Sequence, residues 1–192
     1  HGAMKLAVVG RGMIGAAAAR HLCKQGHEVA LIGPDEPADF ARHGGVFGSH
    51  YDEGRITRVL DADPFWTALN RAAISRYGDI ARESGVEFYR EVGVLHVGPG
   101  DRTEVAATAH SAAQAGIAVE ALDDAKLAER FPFLRFAAGT KGLFEARDAG
   151  YISPRRLVLA QTIAAQRAGA RVVAEPALGI SESGSGVKIK TG

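Results

Sequence analysis

Three glycines and a pair of arginines carry the residue types and spacings in this chain that could do chemistry. Gly10, Gly12 and Gly15 stand in GxGxxG spacing where the apolar run Leu6–Val9 should give way to a helix. In that pattern the first glycine permits a tight turn, the second lets a pyrophosphate approach the backbone without meeting a Cβ, and the third lets helix and strand pack closely. Met13 and Ile14, the first helical residues, would present backbone N–H groups and the positive end of the helix dipole to an anion. The second cluster is the loop Gly48-Ser49-His50-Tyr51-Asp52-Glu53-Gly54-Arg55-Ile56-Thr57-Arg58. Arg55 and Arg58 offer guanidinium forks that suit a carboxylate, and His50 offers an imidazole that can hydrogen-bond or move a proton. Outside a binding site, both arginines and the histidine would be ordinary surface groups.

The elements around the glycines make them a nucleotide-binding βαβ unit. Ala19 and Leu22 continue a buried helical face, Gly26 ends the helix, and Val29–Ile32 is a second apolar strand. Second strands of this motif usually end in an acidic residue that holds the adenosine ribose hydroxyls. Here that position is Gly33, with Asp35 and Glu36 just beyond. Either one of them reaches back, or the ribose is held in another way.

From Gly33 to Arg58 the chain is polar and glycine-rich, longer than a compact connection needs, which is common in functional loops. Pro64–Ser84 has helical periodicity, with Phe65, Trp66, Leu69, Ala73, Tyr77 and Ile80 on one face and Gly85 as its stop. Trp66 and Tyr77 read as core. Strands are expected at Phe88–Arg90, Val92–Val97, Val119–Leu122 and Gly142–Glu145. Helices are expected from about Asp101 to Ala115 and around Leu127, the latter capped by Asp123 or Asp124. Ala146–Ile152 reads as a loop. Ser153-Pro154 starts a helix running to Ala168, followed by a strand at Arg171–Ala174 and a hairpin around Ser183-Gly184-Ser185-Gly186.

The 192 residues, 46% hydrophobic, suffice for one domain or two small ones. With 23 Lys and Arg against 22 Asp and Glu, no global field would draw nucleic acid or an anionic membrane. Cys23 is the single cysteine, so no intrachain disulfide forms, and it reads as a core filler. No apolar run approaches the ~20 residues of a membrane span, and no metal-binding spacing stands out. A soluble, cytoplasmic protein is expected. His1-Gly2-Ala3 ahead of Met4 looks like a cloning remnant.

Taken together, the Gly10–Val29 fingerprint, the GSHxxxxRxxR loop, Gly93-Val94-Leu95 through Gly98-Pro99, and Gly169-Ala170-Arg171-Val172 resemble the N-terminal half of the D-amino acid oxidase superfamily. The resemblance is to its flavin-dependent amine oxidases, on the side of monomeric sarcosine oxidase and N-methyltryptophan oxidase. It implies an α/β fold: a Rossmann-like FAD-binding domain from residues 4–60 and 142–192, incomplete, with 61–141 forming part of a mixed-sheet α+β substrate domain. It implies FAD as cofactor, held through Gly10, Gly12, Met13, Ile14, Gly15, Gly33, Ser49 and Val172. Arg55 would stand beside the flavin ring, Arg58 would bind the substrate carboxylate, and His50 would serve the flavin side. Tyr51 stands where relatives often carry a second histidine.

The implied activity is oxidation of a secondary, N-methylated or D-amino acid by hydride transfer to flavin, with oxygen as the acceptor. An FAD-linked dehydrogenase passing electrons to a quinone and a non-catalytic nucleotide-binding fragment are the alternatives. An NAD(P)-binding Rossmann domain fits the GSH loop poorly. Members are about twice this length, in keeping with a cofactor and a substrate domain. The chain therefore reads as a fragment or a natural half.

Overall fold

A computed structural model of the chain describes residues 2–100, 103–184 and 186–192. His1, the expected helix start at Asp101 and the turn residue Ser185 lie outside the described residues. The chain forms two compact units. The first takes the chain up to Glu53 together with Asp79–Phe88 and Ser153–Gly192. The second takes Gly54–Gly78 and Tyr89–Ile152.

In the first unit, β1 (Lys5–Val9), α1 (Met13–Lys24) and β2 (Glu28–Ile32) form the βαβ unit expected from the glycine spacing. The strand β9 (Arg171–Val173) adds to β2, giving a parallel sheet in the order β1-β2-β9. The helix α6 (Pro154–Arg167) feeds β9 and packs on α1. Small residues allow that approach: Ala16 and Ala19 on α1, and Ala160, Ala164 and Ala165 on α6, are all buried. Ala19, Cys23, Val29, Leu31, Ala165 and Ala170 make the core, with Val8, Leu22 and Val172 packed against it. Cys23 is thus a core filler, and burial pushes its thiol pKa up. Pro154 sits at the start of α6, and Ser153 Oγ caps it by accepting from the N–H of Arg156 at 3.1 Å. The strands β10 (Ala177–Ser183) and β11 (Gly186–Thr191) form the expected hairpin.

In the second unit, β3 (Arg55–Thr57), β8 (Gly150–Ile152) and β4 (Tyr89–Glu91) form one antiparallel sheet in the order β3-β8-β4. The strands β5 (Val94–Pro99), β7 (Thr140–Glu145) and β6 (Glu120–Leu122) form another, in the order β5-β7-β6. The helices α2 (Pro64–Ile74), α4 (Thr103–Ala115) and α5 (Asp124–Arg130) accompany them, and Asp123 caps α5 as expected.

Three expectations are corrected. The helical stretch from Pro64 to Ser84 is two helices, because Ser75 hydroxyl bonds back to the Ala72 carbonyl at 2.9 Å and α3 (Tyr77–Ser84) starts afresh. Phe65, Trp66 and Leu69 are exposed, and the buried residues of α2 are Thr67 and Ile74. Finally, Ala146–Ile152 is not all loop. Its last three residues form the central strand β8, where Gly150 is required: an added Cβ would lie 2.0 Å from the Arg90 carbonyl oxygen.

Candidate functional site

The carboxyl ends of the three parallel strands meet around the glycine turn. Gly10 turns the chain with φ +107° and donates its N–H to the Ile32 carbonyl at 2.8 Å. Gly33, at the end of β2, donates to the Val173 carbonyl at 3.0 Å. Gly15 is pressed against the turn so closely that an added Cβ would lie 1.7 Å from the Gly10 carbonyl oxygen. Gly12 differs. It is the N-cap of α1, has no side chain to close off the helix end, and an added Cβ would find nothing nearer than His50 Nδ1 at 3.7 Å. Backbone close packing at Gly15, and a Gly12 whose missing side chain is crowded by no backbone atom, are what a pyrophosphate at a helix N-terminus requires. The residues present therefore fit a dinucleotide. Met13 opens α1, and the Ile14 side chain is exposed.

Val172 lies in β9 opposite Leu31, its side chain on the core. Ser49 is exposed in the loop before His50. The His50 ring packs edge-on to Tyr51, with centroids 4.7 Å apart, and burial chiefly holds its pKa below the usual imidazole value. At neutral pH it is therefore an uncharged donor and acceptor beside the turn.

One residue absent from the sequence reading organises this loop. Arg155, in the first turn of α6, bonds both oxygens of Glu36 at 2.6 and 2.7 Å, Glu53 at 2.6 Å and the Tyr51 carbonyl at 2.8 Å. Ser153 Oγ also donates to Glu53 at 2.7 Å. Hydrogen bonds from Ser153 and then Arg155 lower the Glu53 pKa, and those to Glu36 and Glu53 raise that of Arg155. The pairings span 100 to 119 residues of sequence, so only an arginine just past a strong helix cap hinted at them.

Arg55 and Arg58 belong to the second unit. Arg55 is exposed on β3. Arg58, just beyond β3, is half-buried, holds Asp61 Oδ2 at 3.3 Å through one terminal nitrogen, and has a buried Nε with no partner among the described residues. The backbone that follows is fixed by Glu145: its Oε1 accepts from the N–H groups of Val59 and Leu60, each at 3.1 Å, from a side chain only 1% exposed. Thr57 Oγ1 meets the Tyr77 hydroxyl at 3.0 Å on the other side of Arg58 in sequence. The segment bearing both arginines is thus anchored before and after Arg58.

Comparison with known proteins bears on the whole of this arrangement. The sequence profile of the DAO family, described as FAD dependent oxidoreductase, matches residues 5–192. N-methyl-L-tryptophan oxidase of Escherichia coli (strain K12) is 31% identical over 199 residues, covering 97% of this chain and 49% of the relative. Peroxisomal sarcosine oxidase of Mus musculus is 27% identical over 162 residues, covering 84% of this chain and 40% of the relative. In fold, the chain is similar to NikD, described as an unusual amino acid oxidase essential for nikkomycin biosynthesis. The TM-score is 0.73 at 22% identity, over 99% of this chain and 48% of that one. The chain spans about half the length of the curated relatives it matches. With the glycine turn, the GSH loop and both arginines inside the matched region, the chain belongs to the DAO family of FAD-dependent oxidoreductases.

Proposed function

We propose that the protein to which these 192 residues belong oxidises a secondary, N-methylated or D-amino acid, with FAD held by the first unit and the second unit forming part of the substrate domain. The observation that carries the reading is the glycine turn, open at Gly12 and flanked by the neutral His50 ring. When bound, FAD would supply the two-electron acceptor for the amine, with oxygen as the final acceptor. The chain's own part is positioning. The N-terminal end of α1 offsets the pyrophosphate charge, and Gly10 and Gly33 bring the strand ends close to it.

Arg58 binds the substrate carboxylate. Its guanidinium is half-buried, its Nε has no partner among the described residues, and the main chain after it is pinned by Glu145. A fixed guanidinium orients an amino acid, which is what sets the reacting bond at a productive distance and angle. Arg55, on the adjacent strand, supplies positive charge on the flavin side. The names of the curated relatives, an N-methyl-L-tryptophan oxidase and a sarcosine oxidase, support an N-methylated amino acid as substrate and oxygen as acceptor.

Hydrogen peroxide release by the full-length protein, measured across a panel of N-methyl and D-amino acids, tests the reading. Arg58→Met should raise KM for a carboxylated amine and leave that for its decarboxylated analogue nearly unchanged. A protein that turns over none of the panel, or an Arg58→Met variant equally impaired on both amines, would contradict it.

A further inference from the structure

We infer that Asp35, held in place by Arg11, is the acceptor for the adenosine ribose hydroxyls, a proposal that rests on the FAD reading above. The usual position for that carboxylate is the last residue of the second strand, and here it cannot bear any side chain. A Cβ at Gly33 would lie 2.8 Å from the Arg11 backbone nitrogen and 2.9 Å from the Arg11 Cβ. The chain around the glycine turn has closed over that position, so the ribose must be read from elsewhere.

Two carboxylates follow within three residues. Glu36 is committed, because both of its oxygens bond the Arg155 guanidinium, at 2.6 and 2.7 Å. Asp35 is not. Its Oδ1 pairs with the Arg11 guanidinium, while Oδ2 has no partner among the described residues and the side chain is 71% exposed. Arg11 is itself inside the GxGxxG turn, between Gly10 and Gly12, and its side chain is only 14% exposed. The ion pair therefore ties a carboxylate from beyond β2 to the glycine turn and leaves one oxygen facing outward. A vicinal diol is the group that such an oxygen recognises, because the ribose hydroxyls donate and an ionised carboxylate only accepts.

The test is calorimetric titration of the full-length apoprotein with FAD, ADP and 2′-deoxy-ADP. The wild-type chain should bind ADP roughly tenfold more tightly than 2′-deoxy-ADP, the value of one charge-assisted hydrogen bond. Asp35→Ala should weaken FAD and ADP by about that factor and erase the preference for ADP over its deoxy analogue. Glu36→Gln should keep the preference. Asp35 is exposed, so its variant is expected to fold, which circular dichroism checks. A chain that binds FAD with the preference unaltered in Asp35→Ala, or lost only in Glu36→Gln, would overturn the assignment. A chain that binds neither FAD nor ADP would instead overturn the cofactor reading on which it rests.

Discussion

His50 stands beside Gly12, its Nδ1 3.7 Å from the place a Cβ would take, so that a loop residue 38 positions away closes one side of the glycine turn. The distance is ordinary van der Waals contact. Gly12→Ala should therefore fold normally and still weaken FAD binding roughly tenfold or more, because the methyl group enters the space where the pyrophosphate approaches. Gly15→Ala should behave differently. Its Cβ would sit 1.7 Å from a backbone oxygen, so the strand–helix packing must shift, at a cost of about 1 to 3 kcal/mol. Urea unfolding and FAD titration on the two variants separate the effects.

Glu145 should stabilise the second unit through the two N–H groups it accepts. Glu145→Ala strands both in a buried setting, at about 1 to 3 kcal/mol each. Glu145→Gln keeps an acceptor and should lose less. Hydrogen exchange at Val59 and Leu60 reads the loss directly, with faster exchange expected in the alanine variant. Unchanged protection would mean that the carboxylate does not hold this segment.

Acid should loosen the first unit through Glu83. Arg20 is fully buried and its Nε donates to Glu83 Oε2 at 2.9 Å, while Lys24 bonds the other oxygen. The Lys24 bond first, and the Arg20 bond after it, hold the Glu83 pKa down at about 2 against an ordinary 4.5. A folded pKa below the unfolded one gives stability that is full above about 4.5 and is lost as the pH falls toward 2. Glu83→Gln should cost about 3 kcal/mol at neutral pH, since it leaves the Arg20 charge unpaired, and should flatten the acid limb of a stability–pH curve. An acid limb of the same size in the variant would assign it to other carboxylates.

Removing Arg155 should release the loop rather than unfold the unit. Arg155→Ala frees Glu36 and the Tyr51 carbonyl and leaves Glu53 only its Ser153 bond, so residues 36–53 should exchange amide hydrogens faster while β1, β2 and β9 keep their protection. His50 lies in that loop, and FAD affinity should fall with it. Slow exchange throughout the loop in the variant would show that other contacts hold it.

The parts of this fold that could be read from sequence are those whose cause is local. The βαβ unit follows from three glycines and two apolar runs within about thirty residues, and α6 follows from Ser153-Pro154. β3 and β8 escaped because each is three residues long and is defined by pairing with strands distant in sequence: Ile152 of β8 lies opposite Arg55 of β3 on one side and Tyr89 of β4 on the other. The break at Ser75 is accompanied by a side-chain hydrogen bond to the Ala72 carbonyl, which periodicity does not register. In the candidate site, the glycine turn was legible, and so was the loop that carries His50, whereas Arg55 lies on β3. Arg155 and Glu145, which fix that loop and the segment after it, were not, since their partners are 85 to 119 residues away.

Addition of FAD to the purified full-length apoprotein, followed by flavin absorbance and calorimetry, tests the central claim most directly. The account predicts saturable binding of one FAD per chain, displaced by ADP and weakened in Gly12→Ala. A chain that takes up no FAD, or that binds NAD in its place, would contradict it.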